Sequence, residues 1–343
     1  MRSPESLLDE IAREPRAKDL ELLRVYADQL IEAGDARGEL IVVACQRAVK
    51  DSRELERRER ELLEIEQQRL HAVLGRFHYY MFRFGVVDEV HFDYHGDEAF
   101  DAWSKLVAEP AFRLLRRIQI AAVQMDGYGN MAPIFAELAQ LAPRFPRLTE
   151  LALHEGMNLG NPWIDGPIDV GDIDPLLRAF PQLEVLELEG NRPRFSELAL
   201  PRLKRLVVGG LHADQIRPIV QSQLRALEHL ELAFEPQRIE NIPSTFGPLL
   251  HRDFGPQLQS LAVAPPPLAA RHLIDELPGS PLARHVKWLS FRAAWLDEGC
   301  YDSLLAQAAT LRRLDGLVLV AKRIPAATQK RLAQALGNTL RLV

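Results

Sequence analysis

From residue 86 onward one short pattern returns nine times: an apolar residue, another three positions on, and a third two positions further. The copies are VDEVHF (87–92), LRRIQI (115–120), LTELAL (148–153), LEVLEL (183–188), LKRLVV (203–208), LEHLEL (227–232), LQSLAV (258–263), VKWLSF (286–291) and LDGLVL (314–319). Residues two apart share one face of an extended chain, so each copy reads as a half-buried strand. Between most copies lies a stretch of helical periodicity, such as APIFAELAQLA, DQIRPIVQSQL, AARHLIDEL, YDSLLAQAA and AATQKRLAQAL. One strand and one helix cannot bury their own apolar faces, but a stack of such units can. The expected fold is therefore α/β: a curved parallel sheet with outer helices, a right-handed solenoid of about nine irregular repeats over residues 81–343.

The pattern resembles the leucine-rich repeat family, whose signature is L-x-x-L-x-L-x-x-N. Leu183, Leu186, Leu188 and Asn191 match it fully. At the asparagine position the other copies carry His95, Val123, Gly156, Leu211, Glu235, Pro266, Ala294 and Lys322. Without a continuous asparagine ladder, the resemblance implies irregular turns. The interruptions VAPPPLAARH (263–272) and HEGMNLGNPWIDGPIDVGD (154–172), the second containing Trp163, read as loops at one edge of the stack.

Residues 4 to about 75 read as helix. Leu20, Leu23, Ala27, Leu30 and Ile31 fall on one face, with Tyr26 beside them and its hydroxyl at a polar rim. In EAGDARGELIVV (32–43), Gly34 suits the left-handed position after a helix, Asp35 the cap of the next one, and Gly38 a close helix contact. The following SRELERRERELLEIEQQRL holds opposite charges four apart, including Glu56/Arg60 and Arg57/Glu61, and a thin apolar seam of Leu55, Leu62, Ile65 and Val73. Through Val25, Tyr26, Ala27, Asp28, Leu30, Glu32, Gly34, Asp35, Arg37, Gly38 and Glu39 this segment resembles the bacterial repeat-companion domain, with Gln29 in place of the usual Trp and Ala36 in place of a common Pro. The resemblance implies a small all-α domain over residues 1–80 that caps the first strand and brings no established chemistry. The last helix with NTLRLV (338–343) is expected to close the other end.

Composition narrows the function. A net charge of −6 in 343 residues argues against a general nucleic-acid binder. Two cysteines, Cys45 and Cys300, are too few for a disulfide framework or a thiolate zinc site and suit a reducing compartment. No apolar run reaches the roughly 20 residues of a membrane span, and the acidic N-terminus lacks a signal-peptide core. These features place the chain in the cytoplasm, away from membranes, and leave its oligomeric state open.

Catalytic motifs are missing. The GDARGE glycines lack the length and the Lys-Ser/Thr ending of a phosphate loop. No nucleophile elbow or H-E-x-x-H occurs. His91, Asp93 and His95 alternate on one strand and could approach a metal, though a secure fourth ligand is lacking; Arg192 or Arg194 could act as a loop arginine in a GTPase-activating role. The main reading is a non-catalytic scaffold without cofactor that binds a partner protein through its concave strand face. The residues between the leucines line that face, and the candidates are Glu150, His154, Glu187, Glu189, His229, Glu231, Trp288 and Arg292. Their acid-rich centre is expected to take a basic segment, with Trp288 as the aromatic anchor.

Overall fold

The computed structural model describes residues 4–13, 19–75, 78–94, 105–122, 131–155, 169–235, 241–292, 296–321 and 324–343. The chain is mixed α/β and divides into two compact units, residues 1–129 with 133–166, and residues 130–132 with 167–343.

The first unit opens with four helices, α1 (Pro4–Arg13), α2 (Asp19–Glu32), α3 (Arg37–Val49) and α4 (Arg53–Leu74). The bend between α2 and α3 is fixed by backbone geometry. Gly34 has φ of 74°, its N–H donates to the Ile31 carbonyl at 2.9 Å, and the Asp35 N–H donates to Leu30 at 2.8 Å. That pair of bonds satisfies the last carbonyls of α2 and needs a residue tolerant of positive φ. Asp35 does not cap α3 as expected; the cap position is Ala36. Its carboxylate instead accepts from the Arg37 backbone N–H at 3.0 Å and from the Arg37 guanidinium. The Arg37 hydrogen bonds hold the Asp35 carboxyl below its ordinary range despite its partial burial. At Gly38 a Cβ would come within 2.7 Å of the Ala27 carbonyl oxygen and of Ile31, so the close contact inferred from the sequence is present.

Two sequence-based faces shift in detail. Leu23, Tyr26, Ala27 and Leu30 are buried, so Tyr26 belongs to the core, while Ile31 points outward. On α4 the buried positions are Leu62, Glu66, Leu70 and Leu74, an i, i+4 row that leaves Ile65 and Val73 exposed. Glu66 is tolerated there because Arg69 bonds both of its oxygens at 2.8 Å and also reaches Glu109. Glu56/Arg60 and Arg57/Glu61 pair as expected, whereas Arg58 turns to Glu39 at 2.8 Å.

The helices end at Leu74, and strands β1 (His78–Arg83) and β2 (Val86–Tyr94) form an antiparallel hairpin that the repeat pattern did not announce. Phe84 and Gly85, both at positive φ, make its two-residue turn. A Cβ on Gly85 would lie 2.7 Å from the Ile41 Cα, so the turn sits directly on the α3 backbone. β1 thus occupies the outer edge of β2, a role the sequence had given to helices. Strands β3 (Arg117–Ala122) and β4 (Glu150–Glu155) continue parallel to β2, with Val90, Ile118 and Leu151 in register. A buried ion pair fastens α1 to this unit: Arg147 donates to Asp19 at 2.8 Å and to the carbonyl of Ile11.

The second unit contains β5 (Asp169–Asp172) and β7 (Asn191–Arg194), a separate parallel pair, and the ladder β6 (Val185–Leu188), β8 (Arg205–Leu211), β9 (His229–Phe234), β10 (Ser260–Ala264), β11 (Trp288–Arg292), β12 (Gly316–Val320) and β13 (Leu340–Leu342). Every neighbouring pair is parallel, and Leu186, Leu206, Leu230, Leu261, Leu289, Leu317 and Leu340 stand side by side. The first, fourth and sixth positions of all nine copies are buried. Intervening helices such as Ile216–Gln221, Ile242–Leu250, Ala270–Glu276, Glu298–Ala306 and Ala326–Leu336 contribute the rest of the core. Phe246 on one of them meets Phe234 of β9 edge-on at 5.1 Å.

Two backbone features show that the repeat is longer than six residues. From the second copy onward the N–H of the first position closes a turn onto the residue three before it, as in Leu183 to Phe180, Leu203 to Leu200 and Leu227 to Leu224. The second-position carbonyl then accepts two N–H groups from the next copy: Glu184 from Lys204 and Arg205, Lys204 from Glu228 and His229, Gln259 from Lys287 and Trp288. Turn and ladder together leave few backbone groups of the copy unsatisfied.

The two interruptions read as loops differ in outcome. VAPPPLAARH is not extruded: it completes β10, turns through Pro267–Ala269 and starts a helix at Ala270, with Ala269 and Ala270 buried. In the second interruption residues 156–168, Trp163 included, lie outside the described residues, and Asp169–Asp172 forms β5. At the C-terminus the helix Ala326–Leu336 is followed by Leu340–Leu342, which adds a strand to β12. Among the described residues no helix is long and apolar enough to cross a membrane.

Candidate interaction surface

The strand of each of the nine copies buries its leucine-type face, and the residues between point to the opposite, open face. That alternation follows from the period of two and was readable from the sequence. Which open-face groups reach solvent was not, because side chains from neighbouring strands cover one another.

In the first unit, Glu150 begins β4 and is already engaged. Arg116 donates to Glu150, to Glu89 and, at 2.9 Å, to Asp88, and Arg117 lies 3.5 Å from Glu150. His154 follows on the same strand and is half-buried. The antiparallel pairing puts Tyr79 beside His91 and Met81 beside Glu89, so two large, well-exposed side chains join this face from β1. Sequence reasoning missed them. The available signal was HYYMFRFGV, alternating strand formers before an F-G turn.

The second unit carries the remaining candidates. Glu187 and Glu231, expected in the exposed row, are each only 8% exposed. Arg205 donates to Glu187 at 2.6 Å, and Arg292 donates to Glu231. Arg292 stands on β11 and Glu231 on β9, with β10 between them. The crossing is sterically open because the open-face residues of β10 are Ser260, Ala262 and Ala264; Ala262 is buried in consequence. His229 lies in register with Ser260, its Nδ1 2.8 Å from the Ser260 hydroxyl oxygen, and its Nε2 is 3.6 Å from Glu231. Burial raises the Glu231 carboxyl, but His229, Arg292 and Arg205 outweigh it and hold the group below its ordinary range. Glu189 is exposed just past the end of β6.

Trp288 is 38% exposed at the start of β11. Its indole spreads over Gly316, its register partner on β12, where any Cβ would collide with the ring. The Arg341 guanidinium of β13 lies 5.1 Å from the ring centroid, a cation–π contact. The long side chains of β11 therefore lie across both neighbours, Arg292 over β10 and Trp288 over β12.

Arg192 and Arg194 are exposed on β7, and Arg192 has φ of 52°. Of the possible metal ligands on β2, His91 is half-buried, while the Asp93 side chain and His95 lie outside the described residues. Among the described residues no group of three His, Cys, Asp or Glu is arranged to hold a metal ion. Cys45 and Cys300 are buried, and burial pushes both thiols up, Cys300 to about 11, so neither is a ready thiolate. Between the helices of the second unit a cleft of about 710 Å³ is lined in part by His251, His272, Asp275, Glu276 and Gln307.

No protein-family model matches the chain, and no curated protein matches it. A protein from Bacteroides fragilis, whose crystal structure was determined as a structural-genomics target, is similar in fold: TM-score 0.59 with 19% identity, covering 84% of this chain and 82% of that one. At that identity the likeness speaks for the fold alone.

Proposed function

We propose that this chain is a leucine-rich-repeat scaffold with an N-terminal repeat-companion domain, and that it binds a partner protein, without catalysis, through the concave open face of its strands. One observation carries the reading: an in-register ladder from Leu186 to Leu317 sinks its leucines into the core and turns the residues between them, Trp288, Ser290 and Arg292 among them, to the opposite face. Stacked repeats gain such a face as a by-product of burying the other, and extended repeat surfaces are well suited to docking. Exposed Trp288 and Arg292, at the two ends of β11, supply residue types that dominate interface energetics. Tyr79 and Met81 supply a second apolar patch in the first unit.

Site-specific photo-crosslinking tests this. A benzophenone amino acid at Ser290 on the open face is expected to capture a partner in the native cell, whereas the same group at Glu298, on the helical side, is expected not to. Capture from Glu298 alone would reject the open face as the docking surface.

A further inference from the structure

The inner row of the second unit carries carboxylates, among them Glu187, Glu189 and Glu231, and guanidiniums, Arg205, Arg292 and Arg341, and Glu187 and Glu231 lie deeper than the arginines. The Glu187 and Glu231 side chains are only 11% and 10% exposed, while Arg205 and Arg292, which cover them, are 40% and 53% exposed. Arg341 is exposed as well, held over the Trp288 ring. Depth decides what a partner meets, because a buried carboxylate already bonded to an arginine has little left to offer a second cation, whereas a guanidinium has five N–H donors and spends only some of them on one carboxylate. Glu189 is the exposed carboxylate of the row, and it lies past the end of β6, away from β11.

Resting on the scaffold reading above, we propose that the β9–β13 part of this face docks an acidic segment of a protein, one carrying carboxylates with an aromatic or aliphatic side chain between them. The carboxylates take the outer donors of Arg292 and Arg341. The apolar side chain lies on the exposed part of Trp288 and the adjoining Ser290, Val318 and Val320, all half-buried. The acid-rich row seen in the sequence thus serves the site indirectly: Glu231 anchors Arg292 across the small residues of β10 and presents it. This reverses the basic partner that the sequence alone suggested.

The test uses the full chain and two fluorescein-labelled, end-blocked 12-residue peptides, one of Glu interspersed with Leu and Phe, the other with every Glu replaced by Lys. Fluorescence anisotropy should show the Glu peptide binding and weakening as salt rises from 50 to 500 mM. The R292Q/R341Q double variant should bind it about tenfold more weakly or worse, the loss expected for charged hydrogen bonds. Arg331→Gln, on a helix and paired with Asp302, should bind as the parent does. Thermal melts verify folding, and R341Q alone, which removes only an exposed side chain, provides the reading if the double variant melts early. Preference for the Lys peptide, no Glu-peptide binding up to about 1 mM, a range where affinity is only about 4 kcal/mol, or undiminished binding by folded R341Q and the double variant would each overturn the acidic partner. The Ser290 crosslink separates this from the broader reading: capture of a partner through a basic segment keeps the scaffold and discards the acidic ligand.

Discussion

In the ladder of the second unit, Leu206, Leu230, Leu261, Leu289 and Leu317 occupy equivalent places, each buried between like neighbours in register. In the helical part of the first unit the decisive residues have no counterparts. Gly38 admits the backbone of α2, Gly85 admits that of α3, and Arg147 satisfies Asp19 and the end of α1. A repeated structure spreads its stability over many similar contacts, whereas a single-copy structure concentrates it in a few unlike ones. The difference also governs how each responds to change.

The largest expected effect is at the buried ion pair. Arg147→Ala leaves Asp19 buried without its partner and should cost about 3–5 kcal/mol, since breaking one side of a buried pair strands the other charge. Replacing both residues by apolar ones, D19L/R147M, should recover much of the loss. Urea denaturation measures both; a cost below about 1 kcal/mol for Arg147→Ala would mean that this residue is not a fastening point.

Each ladder leucine changed to Ala should cost about 2.7–5 kcal/mol, depending on how far the cavity collapses. The useful quantity is the spread. If the five positions are equivalent their costs should fall within that range together, and a position costing under about 1 kcal/mol would show that its copy is not part of the common core.

Glycine substitutions sharpen the contrast further. Gly85→Ala adds a Cβ at φ of 78° against the Ile41 backbone and should cost about 2–3 kcal/mol. Gly34→Ala meets the same conformational penalty at φ of 74° but faces open space, so about 1 kcal/mol is expected. Equal costs at the two sites would show that close approach contributes nothing beyond the turn.

The same contrast explains what was legible. The strands could be read because nine imperfect copies reinforce one another, and all nine patterns coincide with strands. β1 and β13 escaped because neither carries the pattern: one belongs to an antiparallel hairpin and the other is three residues long. Helices Asp174–Ala179 and Ile242–Leu250 are not among the helical stretches read from the sequence; both carry proline in the first turn, where proline is at home, and Asn241 caps the second by accepting from Ser244 at 3.0 Å. GDARGE was legible as a bend but not as a cap, since the choice of Asp35 between α3 and Arg37 depends on geometry. On the candidate face, alternation told which residues point outward. It could not tell that Arg292 would reach Glu231, 61 residues away, over a strand of small residues.

That covered carboxylate yields the smallest and most specific expectation. The Glu231 carboxyl titrates below its ordinary value in the folded chain, while in the unfolded chain it returns to about 4.3. A group depressed on folding contributes stability that is present above the unfolded pKa and is lost as pH falls through the folded one. Acidification from pH 6 toward pH 3 should therefore destabilise the parent chain more than Glu231→Gln, which has no proton to gain at that position. The measurement is the difference between the two denaturation midpoints across that window, which cancels the titration of the other carboxylates. A constant difference would mean that Arg292 and His229 do not favour the ionised carboxylate, and Arg292 would then lose the anchor that holds it toward a partner.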